Sequence, residues 1–312
     1  MAVLHFTPPP GIWMNDPNGL VFADGEYHLF YQCNPFGPEF GQLSWGHAVS
    51  RDLVRWEHLP VAIAALADEQ VYSGSAVIDG DRMVAVYTAA RPGHQAIALA
   101  VSRDRGRTFE RYAGNPVLDV GSADFRDPKV FRCGERWVMA VALAVERRIQ
   151  FYESDDLVGW RHLSDFTSAA LPSGPWECPD LFELDGRWVL IVSVFPGSAW
   201  YFLGDFDGTR FVAESCERLD HGTDFYAPVT FNDAPARVMI GWMNHWERAA
   251  SVAGPMSTPR VLSLRDGLLW QEPVDQQGTV RELRVDDTRV LVGPRTVEVF
   301  AAGKTISHLT PE

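Results

Sequence analysis

Short apolar runs separated by polar turns recur along the chain about every fifty residues. Each run is rich in β-branched and aromatic residues, the composition typical of buried strands. The runs cover Tyr27 to Tyr31, Met83 to Tyr87, Trp137 to Val141, Trp188 to Val192 and Val238 to Trp242. A second short apolar segment precedes each run and ends at Phe22, Ile78, Phe131, Phe182 and Phe231. The pattern therefore predicts two strands at the same phase of every repeat.

A polar motif marks a third phase of the repeat. An Asp is followed after three or four residues by an aromatic residue, and three of the copies have a Ser two positions before the Asp. Such a segment is typical of a turn that opens an outer strand. The five copies are Asp52 with Trp56, Asp104 with Phe109, Asp156 with Trp160, Asp207 with Phe211 and Asp266 with Trp270.

Five copies of a unit of several strands, repeated at a regular spacing, indicate a fold in which similar β-sheets are arranged around a central axis. Helical periodicity is hard to find over any useful length, and a β-sandwich would not require a fixed spacing. We predict an all-β chain whose residues 8 to 275 form a five-bladed β-propeller with four strands per blade. Residues 1–275 are then the catalytic domain, and residues 276–312 form a short C-terminal tail.

The composition excludes several classes of function. A net charge of −14 argues against binding to nucleic acid or to an anionic membrane. The four cysteines are widely spaced and suggest neither a zinc site nor a disulfide framework. The first residues lack the pattern of a signal peptide, and no apolar run is long enough to span a membrane. We expect a cytoplasmic protein that requires no metal or cofactor and acts on a small molecule.

Acidic residues precede the first strand of three repeats. They are Asp16 in Asn-Asp-Pro, Asp127 in Arg-Asp-Pro and Glu177 in Glu-Cys-Pro. The innermost strands of a propeller surround its axis, so equivalent positions in different blades converge on one funnel. We therefore expect these three carboxylates to meet in space. Paired carboxylates beside aromatic residues are what glycoside hydrolysis requires.

The motifs that carry these acids resemble those of glycoside hydrolase family 32, which includes invertases, inulinases and related β-fructofuranosidases. The similarity covers the whole predicted propeller. The matching stretches are WMNDPNG, FRDP and ECPD, with YQCNP at 31 to 35, WGHAVSRDLVRW at 45 to 56, YSGSA at 72 to 76, LDHGTDFYAPVTF at 219 to 231, GWMNHW at 241 to 246 and MSTPRVL at 256 to 262.

The resemblance implies a role for each acid. Asp16 is then the nucleophile, Glu177 the general acid/base and Asp127 a stabiliser of the transition state. A retaining mechanism places the nucleophile and the acid about 5–5.5 Å apart. Glu177 must carry a proton in the resting enzyme, so we expect neighbouring carboxylates and burial to raise its pKa. We expect the adjacent Arg126 to lower the pKa of Asp127.

The resemblance also implies the substrate contacts. Asn15, Gln32 and Ser73 match positions that hydrogen-bond fructose, and Arg126 is expected to contact the ligand and balance charge. Trp13 and Trp246 are expected in the pocket wall. Phe40 stands where many members of the family have Trp, so stacking is retained and an indole N–H is lost. The substrate-binding set is Trp13, Asn15, Gln32, Phe40, Ser73, Arg126 and Trp246.

The tail departs from the family pattern of a propeller followed by a full β-sandwich. The segment from Thr296 to Phe300 and the residues after it resemble the last strands of that sandwich. We expect a remnant terminal hairpin that packs on the propeller or on another chain, since an isolated hairpin is marginal in water. Exposed propeller surface would favour a homo-oligomer.

Several functions are compatible with these residues. The leading hypothesis is a retaining β-fructofuranosidase that releases terminal fructose from sucrose or short fructo-oligosaccharides. A fructosyltransferase would use the same acids, with a sugar in place of water as acceptor. An inverting five-bladed glycosidase acting on arabinose or xylose fits the motif contexts poorly. A catalytically inactive sugar-binding propeller and a purely structural propeller are the remaining alternatives, and three intact acids argue against both.

Overall fold

The computed structural model describes residues 5–244, 246, 254–275, 281–293 and 295–309. Within these ranges the regular structure consists of β-strands arranged in six sheets. None of the described residues lies in a helix that could cross a membrane. Five of the sheets are the blades of a propeller, and each adds its strands in chain order from the axis outwards.

The first two blades cover the N-terminal third of the chain. Blade 1 contains β1 (Trp13–Ala23), β2 (Glu26–Asn34), β3 (Ser44–Ser50) and β4 (Glu57–Ile63). Blade 2 contains β5 (Gln70–Asp79), β6 (Arg82–Arg91), β7 (His94–Ser102) and β8 (Glu110–Arg111), and its β9 (Leu118–Ser122) also pairs with β7.

The next three blades each have four strands. Blade 3 contains β10 (Phe125–Cys133), β11 (Arg136–Leu143), β12 (Arg148–Ser154) and β13 (Arg161–Phe166). Blade 4 contains β14 (Trp176–Leu184), β15 (Arg187–Val194), β16 (Ser198–Phe206) and β17 (Phe211–Arg218). Blade 5 contains β18 (Tyr226–Thr230), β19 (Val238–Trp242), β20 (Arg260–Arg265) and β21 (Leu268–Pro273).

The repeat found in the sequence corresponds to this architecture, and the predicted five-bladed propeller is confirmed. The apolar runs lie in the second strands β2, β6, β11, β15 and β19, where side chains on both faces are buried. They are buried on both faces because each blade packs against two neighbours, and separate hydrophobic cores fill the spaces between adjacent blades. The Asp-aromatic motifs lie at the turns that connect the third and fourth strands.

The ring of blades closes through backbone contacts of Asn232, directly after β18. Its N–H donates to the carbonyl of Leu20, at 2.9 Å, and its carbonyl accepts from the N–H of Phe22, at 2.9 Å. The side-chain amide donates to the carbonyls of Ala76, at 2.8 Å, and Val130, at 3.0 Å. One buried residue of blade 5 is therefore bonded to blades 1, 2 and 3.

A buried ion pair joins blades 3 and 4 near the axis. Lys129 Nζ lies 2.8 Å from Asp180 Oδ1, and both side chains are shielded from solvent. Lys129 Nζ also donates to the carbonyl of Thr230 in blade 5, at 3.0 Å. A charge in this position requires its partner because the low-dielectric interior cannot solvate it.

The C-terminal residues form a sixth sheet of four antiparallel strands. These are β22 (Arg281–Val285), β23 (Thr288–Val292), β24 (Thr296–Ala301) and β25 (Lys304–Leu309). The expected terminal hairpin is present as β24 and β25, but the tail has more than the two strands predicted, because β22 and β23 precede the hairpin and belong to the same sheet. Four strands bury a larger face than a two-stranded hairpin does.

The sixth sheet packs on blade 5 through buried charges. Arg260 donates from Nη1 to Asp220 Oδ2, at 3.0 Å, and from Nη2 to Glu298 Oε1, at 2.8 Å. His5 Nε2 lies 2.9 Å from Glu298 Oε2. Arg260 and Glu298 are fully buried, so these bonds fasten the sheet to the propeller.

Replacing Lys129 tests the axial ion pair. The Lys129→Met variant leaves the carboxylate of Asp180 buried without its cation, and it should lose roughly 3–5 kcal/mol of the free energy of unfolding. The loss is measured from the urea midpoint. The matched control is Arg187→Met, which removes a solvent-exposed pair with Glu214 and should cost about 0–1 kcal/mol. Equal losses in the two variants would show that the axial pair does not hold the blades together.

Candidate active site

A β-bulge interrupts the innermost strand of every blade at the same height. The pairing register shifts between Met14 and Pro17, Tyr72 and Gly74, Arg126 and Lys129, Glu177 and Asp180, and Tyr226 and Val229. A bulge bends the strand and changes the direction of the side chains beside it. The five bulges therefore turn residues of different blades towards one space.

The bulges have a recognisable sequence signal. Four of them contain a proline, at Pro17, Pro128, Pro179 and Pro228, and the fifth contains Gly74. Proline occurs in sheets at bulges and on edge strands, because it has no N–H to donate to a neighbouring strand. A Cβ atom on Gly74 would lie 2.1 Å from the carbonyl oxygen of Val86, so only glycine fits there.

The space at the bulges is a cavity of about 420 Å³. Asp16, Asp127 and Glu177 all line it, although they come from blades 1, 3 and 4. The expected meeting of the three carboxylates is thus what the structure shows. Among the described residues, no cluster of three or more His, Cys, Asp or Glu side chains is arranged to hold a metal ion.

Asp16 is buried and hydrogen-bonded through one oxygen only. Oδ2 accepts a bond from Ser73 Oγ, at 3.1 Å. Oδ1 has no hydrogen-bond partner among the described residues. Burial raises the pKa of Asp16 to about 7, with repulsion from Asp127 and Glu177 adding to the effect. The carboxylate therefore has one oxygen available to a ligand. Its ionised form is destabilised because the carboxylate is removed from water.

Asp127 is held in position by its own backbone and by blade 4. Its φ of 65° is unusual for a residue other than glycine and places it in the left-handed region. Its N–H donates to Thr88 Oγ1, and its Oδ2 accepts from the N–H of Cys178, both at 2.9 Å. Burial raises the pKa of Asp127 to about 6, because it outweighs Arg126, which lowers this pKa as expected.

Glu177 is the most accessible of the three acids, with 18% of its side chain exposed. Arg126 donates to its Oε1 from Nε, at 3.2 Å, and from Nη2, at 3.0 Å. The hydroxyl of Tyr226 donates to Oε2 through a short hydrogen bond. Burial and the charge of Glu177 raise the pKa of Tyr226 well above its usual value, so this hydroxyl remains a donor at neutral pH. Both oxygens of Glu177 are thus oriented.

A chain of polar side chains lies beside Asp16. Gln32 Nε2 donates to Ser73 Oγ at 2.6 Å, and Ser73 in turn donates to Asp16. Gln32 and Asn15 line the cavity, whereas Ser73, predicted as a substrate contact, is not part of its wall. Gln32 Oε1 is buried without a hydrogen-bond partner in the described part of the chain. This side of the cavity therefore presents unpaired acceptors, which a ligand with hydroxyl groups can satisfy.

Aromatic residues form another part of the wall. Phe40, Phe195 and Trp246 line the cavity, and the rings of Phe40 and Trp246 meet edge to face with centroids 5.4 Å apart. Trp13 does not line the cavity: it lies behind the wall, 5.9 Å from the ring of Phe40 and 6.4 Å from that of Trp246. Its indole N–H donates to Asn15 Oδ1 at 2.8 Å and so orients that side chain.

Four residues near the acids lie outside the predicted set. Tyr226 contacts Glu177, and Asp124 and Gln95 each accept a hydrogen bond from Arg126 Nη1, at 3.1 and 3.2 Å. The thiol of Cys178 lies 3.7 Å from Asp16 Oδ2 and 3.6 Å from Asp127 Oδ2. Tyr226 occupies the blade-5 bulge, so the phase of the repeat could have identified it.

The comparison with protein families agrees with this geometry. The model of the glycosyl hydrolases family 32 N-terminal domain matches residues 5–273. A crystal structure of exo-inulinase from Aspergillus awamori superposes with a TM-score of 0.91 at 27% identity, covering 100% of this chain and 93% of that chain.

Two characterised relatives are similar in sequence. The levanase of Bacillus subtilis is 42% identical, over 95% of this chain and 50% of its own length. The invertase of Schizosaccharomyces pombe is 36% identical, over 84% of this chain and 53% of its own length. The chain thus spans about half the length of these two relatives. The family match over nearly the whole propeller and these identities show that the chain belongs to glycoside hydrolase family 32.

Proposed function

We propose that the chain is a retaining glycoside hydrolase that releases terminal β-D-fructofuranosyl units from sucrose or short fructo-oligosaccharides. The observation that carries the proposal is the convergence of Asp16, Asp127 and Glu177 on one cavity. Retaining hydrolysis requires a carboxylate nucleophile and a second carboxyl group that gives and then takes a proton. Levanase and invertase relatives support a fructose-containing substrate.

In the first step the carboxylate of Asp16 attacks the anomeric carbon of the fructosyl unit. The glycosidic bond breaks, and the leaving oxygen takes the proton of Glu177. A fructosyl ester of Asp16 results. Positive charge develops on the sugar ring in the transition state, and the carboxylate of Asp127 stabilises it and binds ring hydroxyls.

In the second step water enters where the leaving group was. Glu177, now ionised, takes a proton from the water, whose oxygen attacks the anomeric carbon. The ester bond breaks and Asp16 is released as a carboxylate, while the proton remains on Glu177. Arg126 and Tyr226 donate hydrogen bonds to Glu177 and hold its carboxyl group in position. The same ester transferred to a sugar hydroxyl would give a fructosyltransferase, so the products distinguish the two activities.

The electrostatics of the cavity favour this chemistry. Raised pKa values, about 7 for Asp16 and about 6 for Asp127, mean that the acid cluster retains protons near neutral pH. Cationic charge on the sugar relieves the repulsion among the acids, so the site binds the transition state better than the neutral substrate. The unpaired acceptors Asp16 Oδ1 and Gln32 Oε1 are complementary to sugar hydroxyls.

Removing the nucleophile should abolish turnover. We expect Asp16→Ala to release no measurable fructose from sucrose while keeping the wild-type circular dichroism spectrum, because the proposed ester forms on the carboxylate of Asp16. Incubation with sucrose, inulin-type and levan-type oligosaccharides, followed by chromatography of the products, checks this. Near-normal turnover by Asp16→Ala would disprove the assignment.

Removing the general acid, Glu177, should slow the reaction without preventing substrate binding. We expect Glu177→Gln to lower kcat about 10²–10⁴-fold, the usual scale for a lost general acid. Asp155→Asn, an exposed acid after β12, is the control and should leave kcat unchanged. If the two substitutions had similar effects, Glu177 would not be the proton donor.

The pH dependence of kcat/KM reports the ionisation of the nucleophile, Asp16. Asp16 must be ionised to attack, and burial raises its pKa to about 7, so activity should fall as the pH drops below neutrality rather than near pH 4.

Asp127→Asn removes a negative neighbour that contributes to the raised pKa of Asp16. The acid limb of the residual activity should therefore move to lower pH, and it should not move in Asp155→Asn. If the acid limb of Asp127→Asn stays at the wild-type pH, repulsion from Asp127 does not contribute to the raised pKa of Asp16.

A further inference from the structure

A second cavity lies at the opposite mouth of the propeller channel. Its volume is about 440 Å³, similar to that of the catalytic cavity, and within the roughly 300–1,000 Å³ range of small-molecule sites. The ends of the innermost strands of blades 2 to 5 line it, at Ile78, Phe131, Phe182 and Asn232. The acids Asp16, Asp127 and Glu177 are not part of its wall.

The channel between the two cavities is filled. Its residual space, enclosed by the first strands of all five blades, is only about 10 Å³. Lys129 lines this space, and its ion pair with Asp180 and the amide of Asn232 bond the blades together around the axis. A molecule in the second cavity therefore cannot reach the catalytic acids, so the second cavity is a separate site.

Two acidic and two basic side chains line the second cavity, and the charges of Asp233 and Arg237 stabilise each other without direct contact. These four side chains are Arg132, Glu183, Asp233 and Arg237, and among the described residues none of them forms an ion pair. Arg132 lies over the ring of Trp137, at 4.3 Å, and Arg237 over that of Phe182, at 4.9 Å. Arg237 also donates from Nη1 to the carbonyl of Phe231, at 3.2 Å, and Asp233 accepts a hydrogen bond from the backbone of Ile78, whereas the side chains of Arg132 and Glu183 form no hydrogen bond in the described part of the chain.

The presence of both acidic and basic side chains determines which ligands fit the second cavity. A phosphate or other anion would meet Glu183 and Asp233, and a cation would meet Arg132 and Arg237. A neutral molecule with many hydroxyl groups can donate to the carboxylates and accept from the guanidinium groups at once. Phe131 and Trp188, whose ring centroids are 5.7 Å apart, add a partly exposed aromatic surface for its C–H face.

We propose that the second cavity binds a neutral carbohydrate of one or two sugar residues. The choice of a fructoside as the first probe rests on the proposed function. A chain with sugar sites at both mouths of its channel can hold a carbohydrate at one end while the other end hydrolyses a fructosyl bond.

The test counts sugar sites on the full chain. The probes are sucrose, fructose and glucose, titrated into Asp16→Ala and followed by calorimetry and by the indole N–H resonances of the protein. We expect two sites, with the resonance of Trp188 shifting as the second site fills. Adding Glu183→Gln and Asp233→Asn, which keep side-chain shape, should weaken the second site about tenfold or more, since each removes hydrogen bonds to a charged group.

Matched controls separate binding from folding and from catalysis. Asp81→Asn removes an exposed acid from the turn after β5, outside the cavity wall, and should leave both sites unchanged. Glu183→Gln and Asp233→Asn in the wild-type chain should keep the same kcat and thermal midpoint. A single site for every probe, or a second site insensitive to the Glu183 and Asp233 changes, overturns the proposal.

The two proposals fail in different ways. A wild-type chain that releases no fructose from any fructoside contradicts the proposed function, yet a second site for glucose or fructose would still support the second cavity. A chain that releases fructose and binds sugars only at the acid-lined cavity contradicts the second site alone.

Discussion

Asn232 joins four blades at the axis of the ring, and the relative positions of the catalytic acids depend on such axial bonds. Among the described residues no strand is shared between the first and last blades, so the ring is not closed by strand pairing within one sheet. Closure rests on the backbone bonds of Asn232 to Leu20 and Phe22, with its amide reaching blades 2 and 3. The buried pair of Lys129 and Asp180 adds a contact between blades 3 and 4. Together these bonds hold strands that carry Asp16, Asp127 and Glu177 at one height.

The bulges convert this scaffold into a site. A regular strand would alternate its side chains between the two faces of its own blade, where neighbouring blades bury them. Inserting a residue at the bulge interrupts that alternation and lets consecutive residues such as Arg126 and Asp127 both reach the central cavity. This arrangement requires left-handed backbone conformations at Asp127 and Cys178, which are strained for residues other than glycine.

Burial dominates the electrostatics of the acids. Arg126 contacts Glu177 and lies next to Asp127 in the chain, yet the pKa of Asp127 is raised because removal from water disfavours its charge more than the guanidinium favours it. Asp16, which no cationic side chain in the described part of the chain contacts, has the higher pKa of the two. Carboxyl groups whose pKa values are raised by burial are suited to a ligand that becomes positively charged during the reaction.

The sequence by itself determined the propeller, its five-fold phase and the three acids, because each rests on spacing that local patterns encode. Residues such as Asn15, Gln32 and Arg126 were also identified from their motifs. The tertiary structure alone decided what depends on contacts between blades: the position of Trp13 behind the wall, the hydrogen bond of Tyr226 to Glu177 and the raised pKa of Asp127. It also decided that the tail is a four-stranded sheet fastened by Arg260 and Glu298. Burial and cross-blade contact are properties of the packed ring, and no stretch of neighbouring residues carries them.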